Sequence, residues 1–222
     1  MGDEMITYTN EDCMLGMARY PDKYFDLAIV DPPYGIIESG GQTGGHNGLF
    51  SNRAYKNGVI SAWDNKPPKE YFVELFRVSK NQIVWGGNYF DLPPSRCIVV
   101  WDKVQPWENF SQVEIAWTSF SSPAQLFKYD NRTGGKIHPT QKPVALYKWL
   151  LTNYAHKGDK ILDTHVGSAS SLIACHDLGF DATGFELDED YFKASTERLK
   201  KHMAQVSIME LVEKKPEQVG LL

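Results

Sequence analysis

Long hydrophobic runs are missing from this chain of 222 residues. No apolar stretch approaches the roughly 18 residues needed to cross a bilayer, which excludes a membrane-spanning helix. Cysteine is scarce: Cys13, Cys97 and Cys175 are odd in number and far apart. They exclude a disulfide framework, offer no zinc spacing and read as reduced thiols in a cytosol. The histidines lack an i, i+4 pair beside an acid, so no metal centre is expected. The opening Met1-Gly2-Asp3-Glu4 has no charged-then-apolar leader, and the expected compartment is the cytoplasm. An excess of basic residues is also absent. Lys and Arg number 23 against 28 Asp and Glu, a net charge of −5, which excludes a chain-wide nucleic-acid footprint but leaves room for a local one. Repeats and low-complexity tracts do not occur.

What is present is enough for one α/β domain with a full core, 42% of residues being hydrophobic. Its centre is Leu27-Ala28-Ile29-Val30-Asp31-Pro32-Pro33-Tyr34. Four apolar residues read as a strand buried on both faces, as in a parallel sheet. The two prolines cannot donate ladder hydrogen bonds and bias the residues before them away from helix. The strand therefore ends in a stiff corner, at the carboxyl end where open α/β sheets bind ligands. The corner presents a carboxylate, backbone carbonyls and an aromatic ring. Asp31 and the Pro32 carbonyl can accept both hydrogens of an exocyclic amino group, and Tyr34 can stack on the ring that bears it. Such bonds draw the nitrogen lone pair out of conjugation and make it nucleophilic. The bland reading of the same residues is a strand ending in a Pro-Pro turn with a buried Asp cap, and the tetrapeptide alone does not choose between the two.

The rest of the chain alternates strand and helix. Ile6–Tyr8 reads as a short strand, followed by a helix capped by Asn10 or Asp12 and running to Arg19. Residues 35–63 carry Gly35, Gly40, Gly41, Gly44, Gly45, Gly48 and Gly58 and no helical pattern; starting at the corner, they read as a flexible lid. Pro67-Pro68 opens a helix with Tyr71, Phe72, Leu75, Phe76 and Val78 on one face. Strands follow at Ile83–Trp85, Cys97–Trp101 and Val113–Trp117, the last two antiparallel neighbours at the far side. Residues 119–135 read as irregular and polar. A helix spans Val144–Tyr154, a strand Lys160–Asp163, a helix ends near Leu178-Gly179, a strand covers Asp181–Glu186, and a helix runs from Glu189 to about His202. Residues 206–222 read as a loose extension of a catalytic domain covering 1–205.

The second half carries a strand, small-residue turn, helix, strand and acid in that order. This is the βαβ pattern of a nucleoside pocket. Gly167, Ser168 and Ala169 leave room for a ligand at a helix N-terminus. Glu186 lies about 20 residues beyond, where such a carboxylate holds ribose hydroxyls. A full G-x-G-x-x-G and a G-K-[ST] are both lacking, which argues against dinucleotides and triphosphates.

With both halves on the page, the chain resembles the S-adenosylmethionine-dependent DNA amino-methyltransferases, in the permuted group whose catalytic motif precedes the cofactor motif. Asp31-Pro32-Pro33-Tyr34 matches the catalytic motif in full, and its Asp resembles enzymes of adenine N6 more than those of cytosine N4. Asp12-Cys13 matches the pair touching the cofactor adenine. His138-Pro139-Thr140-Gln141-Lys142-Pro143 matches the segment flanking the methionine end. Asp163, His165, Val166, Gly167, Ser168, Ala169 and Ser170 occupy the cofactor loop, and Glu186 with Leu187 the ribose-binding position. The family loop reads Asp-Pro-Phe-x-Gly-Ser-Gly; here Thr164, His165 and Ala169 stand for Pro, Phe and the second Gly. The resemblance covers most of residues 10–200. It implies a Rossmann-like fold with a mostly parallel, seven-stranded-type sheet and helices on both faces. It also implies S-adenosylmethionine as cofactor, DNA as partner with the base flipped out, no metal, and pairing as a homodimer.

Only about residues 118–137 stand where relatives carry a target-recognition region, so the expected recognition sequence is short or relaxed. Arg53, Lys56, Lys128, Arg132, Lys136 and His138 are the candidate DNA contacts. Asn88 and Tyr89 are candidates for lining the pocket of the flipped base. Rival readings are the same chemistry on cytosine N4, RNA adenine or a protein amide. A rival of another class is a binding module that keeps the fold without catalysis.

Overall fold

The computed structural model describes residues 5–35, 65–106, 111–130 and 141–213, with only the backbone for 206–213. The strands are β1 (Ile6–Asn10), β2 (Phe25–Val30), β3 (Ser79–Trp85), β4 (Ile98–Asp102), β5 (Val113–Thr118), β6 (Gln125–Lys128), β7 (Lys160–Asp163) and β8 (Asp181–Glu186). They form one sheet of eight in the order β1-β8-β7-β2-β3-β5-β4-β6. All described pairings are parallel except those of β5, which runs against both β3 and β4. The helices are α1 (Cys13–Met17), α2 (Lys69–Val78), α3 (Val144–Tyr154), α4 (Ser170–Leu178) and α5 (Glu189–Glu213).

Residue alternation along β2 explains why it reads as an unbroken apolar run. Leu27 and Ile29 join the core formed with α3, α4 and Leu199 of α5. Ala28 and Val30 join the opposite core, formed with Met17 of α1 and Tyr71, Phe72, Leu75 and Val78 of α2. A strand covered by helices on both faces has no polar side to show. Asp12 caps α1 by accepting from the Met14 amide at 2.7 Å, and Pro68 stands at the N-cap of α2. Asp188 caps α5, accepting from the amides of Asp190 and Tyr191 at 2.9 Å.

Chain order reverses between β7 and β2. From β2 the chain passes through α2 to β3 on one side, while β7, β8 and β1 lie on the other. The carboxyl ends of the adjacent strands β7 and β2 thus border the switch point, where a crevice forms in such sheets. Ala28 lies opposite Leu162, Asp163 opposite Gly184, and Asn10 opposite Glu186. Asp12, Glu186, Asp163 and Asp31 therefore leave one edge of four neighbouring strands.

The structure corrects three expectations. The sheet has eight strands, because Gln125–Lys128 adds β6 beside β4 in a segment that reads as irregular. Only its backbone pairing makes it a strand, since three of its four side chains are exposed. Helix α1 ends at Met17, well short of Arg19, and the chain turns through Tyr20 before Pro21. Helix α5 continues to Glu213, so part of the expected loose extension is helical. No described helix is long and apolar enough to cross a membrane. The region expected to be a lid lies outside the described residues beyond Gly35.

Candidate active site

The Pro32-Pro33 corner holds Asp31 at the end of β2, and both of its carboxylate oxygens are engaged. Tyr34 donates its hydroxyl to Oδ1 at 2.6 Å. Lys142 Nζ donates to Oδ2. Tyr34 is fixed from behind: its ring stacks on Tyr89 with centroids 4.9 Å apart at 20°. Gly86, at φ +66°, approaches so closely that a Cβ there would stand 2.2 Å from Tyr34 Cε1. Only glycine combines that backbone with that proximity. Burial, then the Asp31 and Glu114 carboxylates, push the Tyr34 phenol well above its ordinary range, so it remains a donor.

Lys142 is only 3% exposed. Its ammonium also lies 3.1 Å from Glu114 Oε2 and 5.2 Å from the centroid of the Trp85 ring. Glu114 in turn pairs with Lys103 at 2.6 Å. Burial works to lower the Lys142 ammonium, but the Asp31 and Glu114 carboxylates outweigh it and raise it. Burial works to raise Glu114, and Lys142 and Lys103 bring it below its ordinary value. A buried lysine survives charged because two carboxylates face it.

Across the switch point, the turn from β7 into α4 carries the second group of acids. Glu186 Oε2 accepts from the Gly167 amide at 2.8 Å, and Oε1 from the Asp188 amide at 3.0 Å. Asp163 accepts from the His165 amide at 3.0 Å and from the Ser171 hydroxyl. Burial lifts the Asp163 carboxyl to about 7, with Asp31 and Glu186 adding to it against these hydrogen bonds. Burial also lowers His165 to about 4, leaving a neutral imidazole. The unusual Thr164-His165 pair is internally matched: Thr164 Oγ1 lies 2.9 Å from His165 Nδ1 and 2.6 Å from the hydroxyl of buried Tyr71. Ala169 occupies a left-handed conformation, φ 60°, at the start of α4. A side chain other than glycine rarely adopts it, so the turn is held under strain.

The expected site residues separate into three groups. Asp31, Pro32, Pro33 and Tyr34 stand together at the corner. Asp12, Cys13, Asp163, His165, Val166, Gly167, Glu186 and Leu187 border the neighbouring strand ends. Burial pushes the half-buried Cys13 thiol up to about 12, so it is a neutral thiol. Leu187 is 71% exposed beside Glu186. The side chains of Ser168 and Ser170 are engaged with each other at 3.1 Å, and Arg198 donates to the Ser168 carbonyl and the Ser170 hydroxyl. Lys142 sits on the Asp31 carboxylate, whereas the resemblance ties its segment to the methionine end of a cofactor. Lys128 is 66% exposed on β6 and lies 3.7 Å from Asp102. Arg53, Lys56, Arg132, Lys136 and His138 lie outside the described residues.

Glu114, Lys103, Tyr71 and Arg198 escaped the sequence reading. Glu114 had one signal: it is the lone acid in the otherwise apolar-rich Val113–Thr118.

Asp12, Glu186, Asp163 and Asp31 thus stand at the carboxyl ends of adjacent strands, beside the switch point of a doubly wound α/β sheet, which is where such sheets bind ligands. Residues 79–197 match the family model described as DNA methylase, and the chain belongs to that family. It is 24% identical over 224 residues to a putative methylase, YubD, of Escherichia coli K12, covering 88% of this chain and 90% of that protein. It is 38% identical over 64 residues to the type II methyltransferase M.HpaI of Haemophilus parainfluenzae, a match spanning 29% of this chain and only 20% of that protein. Among solved structures, the fold is similar to that of an M1.HpyAVI–SAM complex. The TM-score there is 0.58 at 17% identity, covering 87% of this chain and 99% of that one.

Proposed function

We propose that the chain transfers the methyl group of S-adenosylmethionine to the N6 amino group of an adenine flipped out of DNA. The observation that carries this reading is the position of Asp31, with Pro32 beside it, at the carboxyl end of β2 next to the ends of β7 and β8, which carry Asp163 and Glu186. Family membership supports DNA as the substrate, and the Asp at the head of Asp31–Tyr34 supports adenine over cytosine.

The residues present fit the cofactor. Glu186 holds two oxygens fixed by backbone amides, each with a lone pair left for a ribose hydroxyl. The turn from Asp163 to Ser170 contains one acid, hydroxyls and small residues with no Lys or Arg of its own, Arg198 reaching it from α5, and with Glu186 beside it this suits a cationic ligand without phosphates. Exposed Leu187, with Asp12 and Cys13 at the start of α1, gives an adenine ring an apolar edge. When bound, the cofactor supplies an electrophilic methyl group on a sulfonium.

The chain's own residues position the acceptor. Asp31 and the Pro32 carbonyl take the two amino hydrogens and leave the nitrogen lone pair exposed. Tyr34 offers its ring to the base. Tyr34 and Tyr89 are too close for a base to slide between them, since two stacking distances need roughly 7 Å. The base therefore uses the other face of Tyr34 or moves Tyr89, which is 39% exposed. Acidic side chains around the crevice favour positive charge as it passes from sulfur to nitrogen. Exposed Lys128 contributes to phosphate contact, and the short segment about 118–137 gives short or relaxed specificity.

The test is incubation with methyl-labelled S-adenosylmethionine and duplex DNA, RNA or protein, followed by digestion and mass spectrometry. N6-methyladenine in DNA is expected. N4-methylcytosine would correct the base, and label confined to RNA or protein would overturn the proposal.

A further inference from the structure

The amino-group acceptor on Asp31 is already taken. Lys142 donates to Oδ2 while Tyr34 donates to Oδ1. An ammonium N–H on Oδ2 is chemically what the amino hydrogen of a target base would be. A lysine fixed there blocks capture of the base unless its charge has somewhere else to go, because a buried ammonium without a partner is strongly unfavourable.

Glu114 is that place. Its Oε2 lies 3.1 Å from the Lys142 nitrogen, yet it is fully buried and accepts no well-aligned hydrogen bond among the described residues. The ammonium donates to Asp31 Oδ2 and, at 3.5 Å, to the Tyr34 hydroxyl. Glu114 Oε1 is anchored by Lys103 at 2.6 Å, so the waiting oxygen is held in place on β5. The flat face of Trp85 borders the ammonium, and a small shift of the nitrogen from Asp31 toward Glu114 needs no new cavity. Charge also balances. Two lysines and two carboxylates make the cluster formally neutral before and after the shift, so no charge is left buried alone.

We propose that Lys142 is a displaceable plug on the catalytic carboxylate, and that Glu114 is the positioning residue that receives its ammonium when the target's amino group takes Asp31 Oδ2. This rests on the reading of Asp31 as the amino-group acceptor. It makes base capture an exchange of one nitrogen donor for another, and it gives β5 a part in the reaction.

The test is single-turnover methyl transfer from tritiated S-adenosylmethionine to unmethylated plasmid DNA, both saturating. Wild type, Glu114→Gln, Lys142→Gln, the double variant and Glu114→Asp are compared. Melting temperatures and the dissociation constants for cofactor and DNA are measured alongside. Glu114→Gln should slow transfer about tenfold while leaving both dissociation constants unchanged, and in the Lys142→Gln background the same change should alter the rate less than about twofold. Glu114→Asp keeps the charge and should restore most of the rate. If Lys142→Gln fails to fold, the contrast between Glu114→Gln and Glu114→Asp decides. An undiminished rate in Glu114→Gln, equal slowing in both backgrounds, or an Asp variant as slow as the Gln variant would overturn the proposal. A wild-type chain that labels no DNA instead overturns the reading of Asp31, independently of the variants.

Discussion

Asp163→Asn tests the electrostatics at the strand ends through folding alone, measured with neither cofactor nor DNA present. Burial raises the Asp163 carboxyl from 3.8 to about 7 in the folded chain. Between those values the folded state holds the proton more tightly than the unfolded state. Its contribution to stability is therefore full below pH 3.8 and is lost as the pH rises through about 7. At ~1.36 kcal/mol per pKa unit, the loss between pH 5 and pH 8 comes to about 3 kcal/mol. Asparagine has the same shape and no charge. Its amide oxygen can accept from the His165 amide, and its NH2 can donate to Ser171 Oγ. The stability of Asp163→Asn minus that of wild type should grow by about 3 kcal/mol from pH 5 to pH 8, roughly 6–12 °C in melting temperature for a chain this size. Denaturant unfolding at constant ionic strength, followed by tryptophan fluorescence, measures it. A difference that does not change with pH refutes the raised carboxyl and the buried, acid-crowded crevice that causes it.

Other expectations bear on separate parts of the molecule. Asp31→Ala should reduce methyl transfer ~100-fold or more while the chain still folds, because a lost transition-state contact of this kind has that magnitude; residual activity above about a tenth of wild type would rule out its role. Gly86→Ala puts a methyl group 2.2 Å from Tyr34 Cε1 at φ +66°, and should lower stability by about 1–3 kcal/mol; an unchanged melting curve would show that the approach is not tight. Neutralising Arg53 and Lys56 together should flatten the salt dependence of DNA binding by about two units of slope. An unchanged slope would remove both from the phosphate contacts.

Local pattern alone determined much of this protein. The helix Val144–Tyr154 and the strands Lys160–Asp163 and Asp181–Glu186 could be read to the residue, because apolar runs, breakers and caps are properties of neighbouring positions. The Asp31–Tyr34 corner was legible for the same reason: two prolines dictate its shape wherever the chain goes. Strand order was not legible in that way, and neither was β6, whose four residues become a strand only by pairing with β4. Nor was the length of α5, where the cue near His202 marks no stop. Above all, the partner of Asp31 lies 111 residues away in sequence, and the acid that shares that partner is on β5. A cation and two carboxylates meeting in a dry interior is a fact about distance and dielectric, and only the folded chain sets those.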